Sequence, residues 1–494
     1  MEEATNNKVT VNFLWRLMER FGAQGVSFIV SIILARLLDP AIYGTIALVT
    51  IFTTIMQVFI DSGLGTALVQ KRNADDTDFS TVFYFNLAMC LALYGVMFLA
   101  APLIAKFYEI PELTPIVRVL SLTLVISGVR GIQQSYISKK MLFKRTFFST
   151  IGATAVSAVV GIAMAYSGFG VWALVAQTLT SNLVSTVILW ITVKWRPIFT
   201  FSFSRLKTLF SYGWKLLVSG LLNTIYNDLR QLIIGKLYSS ADLAYYNKGH
   251  QFPQLIVTNV NTAIDSVLLP TMSAEQDDRA RIKAMTRRAI KISTYIMMPM
   301  MMGLAVCAEP FIRLLLTEKW LPAVFFLRIF CFTMAFYPIH TANLNAIKAL
   351  GRSDLFLKLE IIKKVYGMAA LLVTMWISVE AMAYSLLITT LISSFVNAFP
   401  NKKLLDYSYW EQVCDMLPAI FLAAGMGAVV FCVTLLPLND FVMLLIQVPL
   451  GILIYIGGSW LFKLESFTYI VSMAKTYLHK HNKKHEKKHE KTGN

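Results

Sequence analysis

Charge is scarce in this chain. Asp, Glu, Lys and Arg make up 15% of its 494 residues, whereas a soluble globular domain carries about 25%. Acidic residues are rarer than basic ones, 28 against 45, which leaves a formal net charge of +17. Cysteine is scarce too. Cys90, Cys307, Cys331, Cys414 and Cys432 lie in or beside apolar blocks with no CxxC spacing. They read as small core hydrophobes and imply neither a disulfide framework nor a zinc site. No phosphate-binding GxxxxGK[ST] loop, GxSxG nucleophile turn or HExxH metal pair occurs. The non-apolar connections reach only about 18 residues, too few to bury a soluble core. A catalytic domain, a built-in nucleotide-driven pump and a membrane glycan polymerase with a large outer loop are all disfavoured.

What the chain has instead is apolar length. Hydrophobic residues make up 56% of it and come in long blocks such as 83–105 and 416–438, each near the ~20 residues that cross a bilayer as a helix. About fourteen blocks can be counted, near 13–35, 42–69, 79–105, 113–134, 147–166, 170–193, 208–235, 250–272, 288–308, 321–347, 355–377, 379–399, 412–436 and 440–462. They are continuous rather than alternating, which favours helices over a β-barrel. The expected fold class is an all-α integral membrane protein of about 14 transmembrane helices. The first dozen residues, "MEEATNN" onward, lack a basic region and a cleavage site, so the first span is expected to be retained.

Lys and Arg set the orientation. Even-numbered connections hold twenty-one of them, odd-numbered ones six, and eight lysines follow residue 462. By the positive-inside rule the even connections and both termini are cytoplasmic. The excess charge is thus a topology signal first; nucleic-acid binding is disfavoured because no folded basic domain carries it.

The chain repeats itself. "FLWRLM" (13–18) resembles "YGWKLL" (212–217), "ARLLDPAIYG" (35–44) resembles "GKLYSSADLAYY" (235–246), "FIDSGLG" (59–65) resembles "AIDSVLL" (263–269), and "IVRVLSL" (116–122) resembles "FLRIFCF" (326–332). The paired residues are Arg16 and Lys215, Arg36 and Lys236, Asp61 and Asp265, and Arg118 and Arg328, at offsets that grow from 199 to 210. Six spans separate the copies, so both halves share one orientation. Two pseudo-symmetric six-helix bundles follow, spans 1–6 (residues 1–200) and 7–12 (201–405), around a central cavity. Helices 13–14 (406–462) and a basic cytoplasmic tail (463–494) complete the chain.

Polar residues mark two spans. In span 1, Arg16, Arg20, Gln24, Ser27 and Ser31 recur at helical spacing, and in span 7 Lys215, Ser219, Asn223, Tyr226, Asn227 and Arg230 do the same. Lipid cannot satisfy these groups. Helix–helix hydrogen bonding is one reading. The preferred one is a wet cavity with positive walls, suited to an anionic head group such as a diphosphate. Arg118 and Arg328 either line that cavity or snorkel to the outer interface. Asp61 and Asp265 either pair with a basic residue or carry a coupling ion, Na+ or H+. Glu360 precedes Lys364 by four residues and reads as a structural pair. His340, Asn343 and Asn345 form a polar patch with cavity lining as one reading. In the tail, His481, His485 and His489 share one helical face, where lipid-facing basic extension is favoured over metal capture. No cofactor is implied.

The segments 35–70, 120–145, "GFGVWALVAQ" (168–177) and "LLTEKWLPAV" (315–324) resemble the polysaccharide transporter family, the Wzx-type flippases of the multidrug/oligosaccharidyl-lipid/polysaccharide exporter superfamily. The likeness runs from about residue 10 to 400. It implies the two-bundle architecture and no enzymatic activity. It also implies alternating-access translocation of an undecaprenyl-diphosphate-linked oligosaccharide across a bacterial plasma membrane, for lipopolysaccharide, capsule or exopolysaccharide assembly. A glycan polymerase and a chain-length regulator are the partners it suggests, beside membrane lipid. Arg16, Arg20, Lys215 and Arg230 are the cationic lumen residues it implies. A cation-coupled multidrug efflux transporter is the alternative, against which the basic stripes weigh; a polymerase comes third.

Overall fold

A computed structural model describes residues 22, 24–61, 63–71, 73–473 and 475–476, with backbone alone at positions 61, 212 and 263. Among the described residues the secondary structure is helical, without a strand. The first helices are α1 (Gln24–Leu37), α2 (Pro40–Asp61), α3 (Leu64–Gln70), α4 (Asp76–Tyr108), α5 (Leu113–Leu120) and α6 (Leu122–Lys140). Then come α7 (Phe143–Tyr166), α8 (Val171–Thr192), α9 (Phe203–Leu237), α10 (Ser240–Ala274), α11 (Arg279–Val306) and α12 (Ala308–Leu316). The last are α13 (Ala323–Ala335), α14 (Tyr337–Ala349), α15 (Ser353–Thr374), α16 (Val379–Leu405), α17 (Tyr409–Val433) and α18 (Asp440–Leu461). A further helical stretch covers 465–473.

The fourteen apolar blocks map onto this order, three of them broken in two: α2–α3, α5–α6 and α13–α14. Eleven of the fourteen are long and apolar enough to cross a membrane. The three that fall short are α1, of which only the apolar stretch Gln24–Leu37 is described, α9 and α15. The last two owe their shortfall to composition, since polar side chains interrupt their apolar faces. The all-α membrane fold expected from the sequence is the fold observed.

The chain clusters into two compact units, residues 1–244 and 245–494. This division differs from the expected boundary near residue 200 by one helix. α9, which the repeat assigns to the second half, packs in the first unit against α2, α3 and α4. The reason is visible at its ends. Arg205 pairs with Asp75 at one end, and Lys236 lies 3.0 Å from Glu109 at the other. Between them two glycines bring backbone onto backbone: a Cβ on Gly213 would stand 2.9 Å from the carbonyl carbon of Gly63. Only glycine fits such an approach.

In the first unit the core gathers Leu68, Phe79, Val82, Ile132, Leu189 and Trp195. The connection between α8 and α9 is strapped over the start of α4. Trp195 Nε1 donates to Asp76 at 3.0 Å, and the Ile198 and Ser202 amides donate to Ser80 Oγ and Thr81 Oγ1 at 3.0 and 3.1 Å. The start of α4 is closed by a reciprocal capping box between Asp75 and Asp78. Buried Asp78 also lies 2.7 Å from Lys71, and Lys139 donates to the carbonyls of Leu68 and Lys71 at the end of α3. Several cations counted in the topology argument are therefore also structural.

The second unit repeats the device with other residues. Arg287 grips Asp415 through two bonds of 2.7 and 2.8 Å, and Tyr407 donates to the same carboxylate at 2.8 Å. Lys291 reaches both Asp415 and Glu465. Behind them Asn343, Gln412 and Asn401 form a buried amide cluster, and Met272, Ile282, Ile339, Ala342 and Met416 supply the apolar packing.

Candidate functional site

Prolines decide two of the backbone contacts that matter. Pro102 stands inside α4 and Pro299 inside α11. Each lacks an N–H, so the carbonyl four residues earlier loses its helical donor, and hydrocarbon supplies no replacement. For Pro102 that carbonyl belongs to Phe98, and Arg118 Nε donates to it at 3.3 Å. The Arg118 guanidinium also lies 4.2 Å over the Phe98 ring. For Pro299 it belongs to Tyr295, and the Tyr455 hydroxyl donates to it at 2.8 Å. Arg328, the repeat partner of Arg118, donates from Nε to the Ala305 carbonyl at 3.3 Å, where α11 ends and α12 begins. Both arginines thus complete the backbone of a neighbouring helix within their own unit.

The polar stripe of α9 is different. Lys215, Ser219, Asn223 and Asn227 are exposed, and Tyr226 and Arg230 are half-buried. Lys215, Ser219 and Asn227 have no hydrogen-bond or ion-pair partner among the described residues, while Asn223, Tyr226 and Arg230 do have partners. Asp228 accepts from Gln231 at 3.3 Å. The stripe follows from register: the spacing of three and four puts these side chains on one face, while Ile234 and Gly235 turn inward near the C-terminal end of the helix. A long helix held at both ends by ion pairs therefore presents a cation and two neutral hydrogen-bonding side chains that no described residue engages. Chemically, that face can take an anion flanked by hydroxyl groups.

The counterpart stripe in the first span is described in part. Gln24 and Ser31 are half-buried and Ser27 is exposed on α1; Arg16 and Arg20 lie outside the described residues, as does the histidine run of the tail. Asp61 is described by its backbone alone. Asp265 accepts from Asn345 Nδ2 at 2.7 Å. The helical ion pair on α15 joins Glu360 to Lys363, one position before the Lys364 that the spacing suggested. Asn345 and Asn343 are buried in contacts of their own, and His340 lies against Asn397, whose Nδ2 is 3.0 Å from Nδ1. Among the described residues no group of three or more His, Cys, Asp or Glu side chains could hold a metal.

Residues 33–325 match the family model described as polysaccharide biosynthesis protein. Among curated proteins, the succinoglycan biosynthesis transport protein ExoT of Rhizobium meliloti is 27% identical over 312 residues, which span 63% of each chain. The teichuronic acid biosynthesis protein TuaB of Bacillus subtilis is 24% identical over 78% of this chain and 80% of its own. The lipopolysaccharide biosynthesis protein WzxC of Escherichia coli is 20% identical over 82% of this chain and 85% of its own. Among solved structures, the lipid II flippase MurJ in an inward closed conformation superposes with a TM-score of 0.73 at 16% identity, covering 91% of this chain and 98% of that one. An inward-facing multidrug resistance MATE family transporter gives 0.61 at 16% identity over 78% of this chain and 94% of that one. The structural likeness is one of fold.

Proposed function

The chain belongs to the polysaccharide biosynthesis protein family, and from that premise we propose that it is a flippase for a lipid-linked oligosaccharide. The single observation that carries this reading is the open face of α9. Lys215 is an exposed cation without a partner among the described residues, on a helix less apolar than most of its neighbours. A cation held open at membrane depth is costly unless something anionic visits it. A diphosphate offers several negative oxygens to Lys215 and Arg230, and to Arg16 and Arg20 of the first span. Ser219, Asn223 and Asn227 are suited to sugar hydroxyls or to phosphate oxygens. Relatives named for succinoglycan and teichuronic acid biosynthesis support a saccharide cargo.

The proposed cycle is alternating access. The diphosphate head binds the basic face from the cytoplasmic side, the hydrocarbon chain stays in lipid, and the head is released on the outer side. The even connections and both termini are placed in the cytoplasm by their Lys and Arg content. Transport would draw on a Na+ or H+ gradient, with Asp61 and Asp265 among the candidate carriers. A polymerase and a chain-length regulator would act on the product. The multidrug efflux alternative draws no support from the α9 face, since a cationic wall repels cationic drugs.

Deletion of the gene tests the proposal. Lipid-linked repeat units should accumulate at the inner leaflet, where an impermeant periodate or glycosidase added outside cannot reach them. Accumulation on the outer face would point to a defect after translocation and would remove the flippase reading.

A further inference from the structure

We propose that the connection between α8 and α9 is a membrane anchor. Its exposed phenylalanines seat in the boundary layer of the leaflet on its own side of the bilayer, and its lysines bind anionic phospholipid head groups there. This goes beyond the flippase reading and does not rest on it.

Residues 193–202 are neither helix nor strand, yet the segment is fixed at defined places. Trp195 is buried and bound to Asp76, and the Ile198 and Ser202 amides donate to Ser80 and Thr81 in the first turns of α4. The short bow between those two bonds is thus tied down at both ends, and its apolar side chains are bare. Phe199 is 98% exposed, Phe201 52%, and Phe203, which opens α9, 72%. In water three such rings on one short tether carry a large unrelieved hydration cost. The Phe199 ring lies near-parallel to that of Tyr84 on α4, centroids 6.3 Å apart. One turn further into α9, Phe210 meets Phe85 edge-on at 6.4 Å.

α4 sets the depth. Its charge-free run from Phe79 to Ala105 follows Asp76 and Asp78 and stops at Lys106. Those 27 residues rise about 40 Å, enough for about 30 Å of hydrocarbon and roughly 10 Å of interface. Ser80, Thr81 and Tyr84 stand within about 8 Å of the start of that run, so the bow attached to them lies at the head-group boundary. Leu91, seven residues on from Tyr84 and on the same face, is exposed, as are Leu99 and Leu103. That is the lipid side of α4, and a protein partner would have to displace lipid to reach Phe199. Charge then selects the lipid. The acidic side chains at this end are engaged, Asp75 by Arg205, Asp76 by Trp195 and Asp78 by Lys71. Arg196 is spent on the carbonyls that end α8. Lys194 and Lys207, exposed on either side of the bow, make no hydrogen bond or ion pair with a described residue. The charge left over is positive, which favours an anionic leaflet, and bare aromatics between lysines have the composition of an interfacial anchor. The anchor holds the start of α9, the helix that carries Lys215.

The test uses the full-length protein in lipid nanodiscs, with nitroxide labels at F199C and F203C. C414S/C432S is the background, since the other three cysteines are buried. Electron paramagnetic resonance reads how often each label collides with oxygen, which partitions into lipid, and with a nickel chelate, which stays in water. L99C on the lipid face and D277C in the turn between α10 and α11 set the two limits. In discs with about one-third phosphatidylglycerol, the oxygen-to-nickel ratio at F199C and F203C should lie several-fold above that of D277C and toward that of L99C. Discs of phosphatidylcholine alone should give a lower ratio, and K194Q/K207Q should abolish the difference between the two lipids. A ratio at the D277C value overturns the proposal. So does collision with neither agent, which would mean that protein covers the patch, and so does a ratio indifferent to phosphatidylglycerol. Should F199C fail to run as a single species in gel filtration, T200C decides by the same criteria. No glycolipid enters the measurement, so failure of the flippase reading would leave the anchor standing.

Discussion

Arg118 Nε donates to the carbonyl of Phe98, the one acceptor in α4 that Pro102 strips of its helical partner. A charge-assisted bond of this kind is worth about 1.5–3 kcal/mol. R118M should therefore lower thermal stability in detergent by an amount of that order, measured by fluorescence-detected gel filtration after heating. The informative partner is P102A, which restores an N–H to serve Phe98. In the double variant R118M should cost clearly less than it does alone; equal losses in both backgrounds would show that the bond is not what stabilises.

A second prediction concerns the open face of α9. K215A removes an exposed side chain without a partner among the described residues, so stability should stay within about 0.5 kcal/mol of wild type. Surface glycan should nevertheless fall, and R16A/K215A should abolish it while leaving protein abundance unchanged on immunoblots. Wild-type glycan output from the double variant would remove the basic-stripe assignment.

Acid stability gives a third. The Arg205 guanidinium beside Asp75, with the Asp78 amide, holds the Asp75 carboxyl down at about 2; unfolded aspartate titrates near 3.9. A depressed carboxylate contributes stability that is complete above the unfolded value and is lost as pH falls through the folded one. D75N should therefore be less stable than wild type at pH 7, with the gap closing between about pH 4 and pH 2. Asp75 is exposed, so the gap should also shrink in high salt. Denaturation curves at several pH values provide the measurement.

A fourth concerns the second proline. Y455F removes the donor to the Tyr295 carbonyl opposite Pro299 and should cost about 0.5–1.5 kcal/mol. P299A should offset most of that loss. Thermal scans of the three variants decide it.

Much of the fold is legible because bilayer helices announce themselves as uninterrupted apolar runs: thirteen of the fourteen blocks recur as helices, and the first does so over its described part. The breaks are less so. α5 gives way to α6 at Ser121 with neither glycine nor proline at the joint, so nothing local marks that break, whereas Pro338 in the first turn of α14 does mark the one at Phe336. The repeat paired Arg118 with Arg328, and the structure gives them matching roles. What they bind was hidden, because a vacated carbonyl can be inferred from Pro102 but its donor is fixed only by how α5 lies on α4. Glu360 had two lysines at helical spacing, Lys363 and Lys364, and periodicity alone does not separate three from four. The α9 stripe was readable from spacing, whereas its attachment to the first unit depends on ion pairs formed with residues more than a hundred positions away.

The contact between Gly63 and Gly213 has a mechanical consequence. No side chain cushions it, so the junction between α2 and α3 is coupled to α9 as stiffly as two backbones can be. Asp61 precedes one glycine by two positions and Lys215 follows the other by two. On the proposed reading, the pull of an arriving anionic head group on Lys215 would pass, undamped, to the stretch of chain that holds Asp61.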